Sequence, residues 1–198
     1  MEKPIEGSPL RQVNEWIKFA TEKTDLEYPN AAALATVNNQ KVPSVRMVLV
    51  KQVDDSGLVF FTNLSSRKSR DISEVANVSL CFFWDQIKRQ VNINGQAEQI
   101  SDEEADRYFA TRPRRSRIGA WASKQSQRLT SRHELEKRVA FFVTKFGLGE
   151  ISRPKFWSGF KVTPSRIEFW QEKPFRLHDR RCFELDEDGC WHSFALFP

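Results

Sequence analysis

Little in this 198-residue chain invites disulfide, metal or nucleophile chemistry. There are three cysteines, an odd number with no C-x-x-C spacing, so neither a disulfide framework nor a zinc cluster is expected. They read as free thiols of a reducing compartment. Three histidines stand apart from any His/Cys/Asp ligand spacing, so no metal is expected. A Rossmann glycine fingerprint, a P-loop and a nucleophile elbow are all missing. No apolar run has the length a bilayer requires. Met1–Arg11 is polar and has no apolar signal core, so the expectation is a cytoplasmic protein with no membrane partner. Repeats, low-complexity tracts and linkers are absent too, which leaves one domain over 1–198.

The composition is that of an ordinary globular protein, with 39% hydrophobic and 29% charged residues. Sixteen Phe and six Trp point to an aromatic core. A net charge of +5 and a pI near 9.2 favour anionic partners, either nucleic acid or small phosphorylated molecules. The basic residues form short clusters at 67–70, 112–117 and 176–181 rather than one stripe. With no nucleic-acid-binding signature present, the small phosphorylated molecule is favoured.

Periodicity and turn chemistry divide the chain. Residues 14–20 read as a short helix within an N-terminal segment, 1–30. Strands are expected at 33–37, 44–53 and 58–62, then a helix over 66–75, then strands at 78–84 and 89–97. Ser101-Asp-Glu-Glu104 is a capping box whose helix must stop before Pro113. A second box, Ser131-Arg-His-Glu134, opens a helix to about Phe146. Late strands are expected at 162–170, 176–185 and 191–194. Strands, then helices, then strands describe a mostly β fold, a barrel with flanking helices.

Four constellations carry possible chemistry. Arg46 and Lys51 sit an odd number of residues apart on one strand, so they face opposite sides, their Cα atoms about 16 Å apart. Two different anions suit them better than one. In Phe61-Thr62-Asn-Leu-Ser-Ser66-Arg67-Lys68 a strand leads through a hydroxyl-rich loop into a helix N-terminus, where phosphate is readily held. Cations at that end oppose the helix dipole, which points to function rather than stability. Tyr108 and Arg112 are i, i+4 neighbours, and Ser116 beyond the proline could cap the next helix; a guanidinium and two hydroxyls suit a phosphate. Arg176, His178 and Arg180 recur at period two, one face of a strand, where they need an anion or an electron-rich ring between them.

Seven strings occur in order: Arg46-Met47-Val-Leu-Val-Lys51, Phe60-Phe-Thr-Asn63 with Ser66-Arg-Lys68, Arg89-Gln90-Val91, Tyr108-Phe with Arg112-Pro, Ile118-Gly-Ala-Trp-Ala-Ser-Lys-Gln125-Ser126, Ile167-Glu-Phe-Trp170-Gln and Arg176-Leu177-His178-Asp-Arg180. From about Ala31 to the C-terminus the chain resembles the pyridoxamine 5′-phosphate oxidase family. The resemblance implies an FMN-binding split β-barrel and a homodimer with FMN at two intersubunit sites. It implies oxidation of pyridoxamine or pyridoxine 5′-phosphate to pyridoxal 5′-phosphate, with O2 reduced to H2O2. Carried over, Arg46, Arg67 and Lys68 hold the FMN phosphate with Thr62 and Ser126. Met47, Lys51, Phe61, Ser66, Gln90, Gln125, Trp170 and Arg180 belong to the rest of the cofactor site. Lys51, Tyr108, Arg112 and Ser116 take the substrate phosphate. Arg176 and His178, with Leu177 between them, place the pyridine ring and are the candidate catalytic residues.

The chain departs from the family pattern in places. Phe61 stands where a Tyr is usual, Ser158-Gly159 where Gly-Gly is usual, and Glu172 where a Gly follows Trp-Gln. Ala195-Leu-Phe-Pro198 replaces an Arg-Leu-Ala-Pro ending, and the family's basic N-terminal segment is not recognisable before Pro9. A protein that binds FMN or a vitamin B6 phosphate with little oxidase turnover is the alternative reading.

Overall fold

A computed structural model describes residues 8–198, so most of the stretch before Pro9 lies outside the described residues. The chain runs α1 (Leu10–Lys23), β1 (Ala31–Val37), β2 (Pro43–Asp54), β3 (Gly57–Asn63), α2 (Arg67–Glu74), β4 (Asn77–Trp84) and β5 (Arg89–Gln99). It continues through α3 (Asp102–Thr111), α4 (Arg114–Ala122), α5 (Arg132–Phe146), β6 (Trp157–Gln171), β7 (Asp179–Leu185) and β8 (Trp191–Ala195).

The eight strands of the described residues share one antiparallel sheet in the order β3-β2-β1-β4-β5-β6-β7-β8. β6 also pairs with β3, closing six strands into a barrel, while β7 and β8 extend outward from β6. The length of β6 makes this possible: its start, Trp157–Val162, pairs with β3, and its end, Arg166–Gln171, pairs with β7. A register shift at Asn94/Gly95 lets β5 follow it, and Gly95 lies where a Cβ would be 2.2 Å from the Thr163 carbonyl oxygen.

Alternation decides which side chains fill the barrel. Leu34, Leu80, Phe82, Trp84, Val91, Ile93, Ile167 and Phe169 point inward and are buried. At about 1.5–3 kcal/mol per large apolar side chain, this interior is the main source of stability. Helix α1 joins the same core with Leu10, Val13 and Ala20, and Trp16 meets Phe169 edge-on at 5.0 Å. A second aromatic cluster, with Phe109, Ile118, Ile151 and Trp157 at its centre, binds the middle helices to the barrel wall.

The serine half of each capping box forms, the Ser101 and Ser131 hydroxyls accepting from the backbone N–H of Glu104 and Glu134, while the Glu134 carboxylate turns instead to Thr130. Four expectations need correction. α1 is twice the expected length, because apolar contacts with the barrel start at Leu10. β6 starts at Trp157 rather than Val162, since pairing with β3 keeps Ser158 and Gly159 extended. The strand expected from Arg176 starts only at Asp179. Pro174–Arg176 is a 3-10 turn with Phe175 and Arg176 at φ +59° and +62°. Arg176 and His178 therefore do not share a strand face with Arg180. Finally, Ser116 lies inside α4 and does not cap it; Pro113 occupies the cap position.

Candidate active site

The phosphate-type residues gather where β2 and β3 meet the helical layer. β2 puts Val48 and Val50 inward, which sends Met47, Leu49 and Lys51 outward into a cleft of about 700 Å³. Phe61, Thr62, Lys68, Tyr108, Arg112, Ser116 and Gln125 line the same cleft. Arg46 faces the opposite way from Lys51, as the odd spacing requires.

Lys68 is the most unusual of these groups. Its side chain is buried, and its Nζ donates to Thr62 Oγ1 (3.1 Å), Ser66 Oγ (3.2 Å) and Gln125 Oε1 (3.0 Å), all neutral. Burial, reinforced by the nearby Arg46 charge, pushes its pKa down to about 8. An ammonium kept from water, with no carboxylate partner among the described residues, is a strong attractor for an anion.

Arg46 stands behind it, donating to the Leu34 carbonyl, Thr36 Oγ1 and Ser44 Oγ. The buried Asp71 lies 3.6 Å from the guanidinium and accepts from Thr36 Oγ1 at 2.7 Å. Burial lowers the Arg46 pKa while Asp71 raises it. Ser66 is the N-terminal flank of α2, and Arg67 is the first residue of that helix and exposed. Ser126 is exposed beyond α4 with φ +67°.

Arg112 and Tyr108 form a separate group. Tyr108 stacks on Phe61 with ring centroids 3.7 Å apart, and Phe61 lies parallel to Trp157 at 5.4 Å. The Arg112 guanidinium carbon sits 4.7 Å from the Trp157 ring centroid and 5.5 Å from that of Phe109. One of its terminal nitrogens, Nη1, is buried with no hydrogen-bond partner, and burial lowers its pKa. It makes no ion pair among the described residues.

The remaining candidates lie elsewhere on the chain. Gln90, Trp170 and Arg180 occupy directly opposed positions across β5, β6 and β7, one row on the outer face. His178 joins them, its ring 4.8 Å from that of Trp170 and its Nδ1 accepting the Lys173 N–H. Arg176 and Leu177 are exposed on the turn beside it. None of these six lines the cleft of its own chain. Arg180 is tied by two hydrogen bonds, 2.9 and 2.7 Å, to the buried Glu168 and by a third to the Phe197 carbonyl.

Sequence reasoning missed Asp71, Glu168 and Trp157. Nothing in spacing ties Asp71 to Arg46, whereas a lone Glu within Ile167-Glu-Phe-Trp170 was a readable sign of a buried carboxylate with a cationic partner.

Among the described residues, a closed six-stranded antiparallel barrel with a two-strand extension and five flanking helices defines the split-barrel class. Residues 20–142 match the family model described as pyridoxamine 5′-phosphate oxidase, and 157–198 match that of the pyridoxine 5′-phosphate oxidase C-terminal dimerisation region. The chain belongs to the pyridoxamine 5′-phosphate oxidase family. It is 49% identical to the pyridoxine/pyridoxamine 5′-phosphate oxidase of Chelativorans sp. (strain BNC1), the match covering 97% of this chain and 91% of that one. It is 50% identical to the enzyme of that name from Mesorhizobium japonicum, over 97% and 93%. Among solved structures, PhzG from Burkholderia lata 383, in complex with tetrahydrophenazine-1-carboxylic acid, superposes with a TM-score of 0.91. That match has 28% identity and covers 98% of this chain and 94% of the other. A pyridoxamine 5′-phosphate oxidase-related, FMN-binding protein from Nostoc punctiforme shares the fold at a TM-score of 0.77 and 15% identity, over 98% and 100%.

Proposed function

We propose that this protein binds FMN and oxidises pyridoxamine 5′-phosphate, pyridoxine 5′-phosphate or both to pyridoxal 5′-phosphate, with O2 as the final acceptor and H2O2 as by-product. The carrying observation is that one cleft is lined by three cations in different settings, the buried Lys68 on one side and Lys51 and Arg112 on the other. Lys68, with Arg46 behind it and Arg67 at the helix start, suits the cofactor phosphate, with Thr62, Ser66 and Ser126 as hydroxyl donors. Lys51, Tyr108, Arg112 and Ser116 suit the phosphate of a second, smaller molecule.

The chemistry supplied by bound FMN is acceptance of a hydride from the substrate C4′ carbon. The protein's part is orientation and electrostatics. Arg112 and Lys51 fix the far end of the substrate, and Met47, Phe61 and Gln125 bound the cofactor. Arg176 and His178 place the pyridine ring, with Leu177 between them, while Gln90, Trp170 and Arg180 complete the flavin surround.

For these last six residues to reach the cleft, the working form has to be a homodimer. The outer faces of β1, β2 and β4 support that reading. Val45 is 66% exposed, Met47 63% and Phe83 55%, with the small Ala33 and Ala35 between them. A second copy covering this apolar face would carry the Gln90–Trp170–Arg180 row of each chain toward the other's cleft.

The test is an absorbance spectrum of the purified protein without oxygen, before and after adding pyridoxamine 5′-phosphate. We expect a yellow protein whose flavin band bleaches, and FMN rather than FAD on denaturation. A band that persists with both phosphorylated vitamers, together with no oxygen uptake, would leave a binding protein with little turnover. Bleaching by tetrahydrophenazine-1-carboxylic acid alone would favour the chemistry of the Burkholderia relative's ligand, a reading made less attractive by 28% against 49–50% identity.

A further inference from the structure

We infer that Trp157 is a positioning residue for the substrate phosphate, an aromatic shelf that aims Arg112 without occupying its donors. This rests on the reading of Lys51, Tyr108, Arg112 and Ser116 as the phosphate set.

A buried arginine is ordinarily held by a carboxylate, which fixes the guanidinium plane but takes two of its N–H donors and neutralises its charge. Arg180 is held in that manner, giving two donors to Glu168, and Arg46 spends its donors on three neutral oxygens with Asp71 3.6 Å away. Arg112 is held differently. No carboxylate pairs with it among the described residues, and its guanidinium lies over the Trp157 ring at 4.7 Å, with Phe109 at 5.5 Å on the same apolar cluster. A ring face attracts the cation and sets its orientation while leaving the N–H groups at its edge free. The partnerless, buried Nη1 is the donor thereby kept in reserve.

The shelf is itself fixed. Trp157 is 6% exposed, its backbone pairs with Asn63 at the β3–β6 seam, and its carbonyl accepts from Arg153 at 2.7 Å. Arg153 is anchored in turn by Asp102 and Asp106 of α3, the helix that carries Tyr108. Through Phe61 the same indole also lies parallel to Tyr108, ring centroids 6.3 Å apart. Trp157 therefore meets Arg112 directly and reaches Tyr108 only by way of their shared neighbour Phe61.

The experiment uses the FMN-loaded protein with three changes at this position: Trp157→Leu, Trp157→Phe, and site-specific replacement by fluorinated tryptophans that keep the shape and drain the ring face. Readouts are oxygen uptake with pyridoxamine 5′-phosphate, calorimetric titration with inorganic phosphate, and retained FMN. In Trp157→Leu we expect KM to rise and phosphate affinity to fall by about three- to thirtyfold, with kcat changed far less and FMN content parental. Trp157→Phe should fall between, and KM should climb stepwise with fluorine number, which a purely steric role would not produce. If Trp157→Leu loses flavin or folds poorly, the fluorinated series decides. Parental KM and phosphate affinity throughout that series overturn the role. A parent protein that neither binds phosphate nor oxidises the substrate overturns the phosphate assignment itself, and the shelf with it.

Discussion

A lysine surrounded by neutral oxygens gives up its proton more easily than one in water, and at Lys68 this brings the pKa to about 8. A bound phosphate dianion would raise it again. FMN binding should therefore take up a proton wherever free Lys68 is neutral. Affinity is full below about pH 8 and falls as pH rises from there toward the pKa of the bound state. The phosphate group ionises to its dianion near pH 6, so it adds no slope in that window. Titration of apoprotein with FMN at several pH values should show this loss. Lys68→Met should bind weakly at every pH and lose the dependence; a parent affinity flat across the window would contradict the placement. The substrate residues divide differently. On the proposed roles, Arg112→Ala should remove a charge-assisted contact worth about 1.5–3 kcal/mol, a loss of about tenfold to 150-fold, mostly in KM. Arg176→Ala and His178→Ala should instead lower kcat, since a ring misplaced by about 1 Å can cost on the order of a hundredfold. Steady-state oxygen uptake with FMN occupancy measured in parallel separates these outcomes.

Among the secondary-structure elements, β6 is the one whose integrity the site depends on most, because it touches the cleft through Trp157 and the outer row through Trp170. It can follow both β3 and β5 only by bending at the Gly95 irregularity, where a methyl group would meet the Thr163 carbonyl oxygen at 2.2 Å and Pro164 Cα at 2.8 Å. Gly95→Ala should cost about 1–3 kcal/mol, read as a lower thermal midpoint and reduced flavin retention. An unchanged midpoint would mean that the strand pair relaxes without strain. Element identity was well legible in the sequence because alternation, turn residues and capping boxes are local signals. What was not legible depends on distant partners. Asp71 reaches Arg46 and Thr36 across more than twenty residues, and β6 is prolonged to Trp157 by β3, a strand nearly a hundred residues earlier. The segment after Pro174 was misread for a local reason: a period-two run of cations resembled a strand, while the proline and two positive-φ residues made a turn. The cleft residues were legible as a set only through their ordered resemblance to a family, since Lys51, Lys68 and Arg112 share no helix or strand.

For the whole molecule, the decisive question is whether each flavin site is shared between chains. The cleft holds Lys68, whereas Arg180 lies on the outer row with Gln90 and Trp170, and no residue of that row lines the cleft of its own chain. If a twofold dimer joins cleft to row, Lys68→Ala and Arg180→Ala should each lose FMN as homodimers, for unrelated reasons. Unfolding the two variants together and refolding them at equal concentration should then restore binding. Half of the dimers formed would be mixed, and each mixed dimer holds one site with both defects and one with none. About a quarter of all sites should therefore regain FMN and oxidase activity. A site built within a single chain predicts no recovery at any mixing ratio. Linkage adds a second consequence: a cofactor bound by both chains stabilises the dimer by mass action, so dilution of the apoprotein should yield monomer at concentrations where the FMN-loaded protein stays dimeric. Light scattering on both forms across a dilution series checks this, and a monomer that keeps its flavin would exclude the shared site.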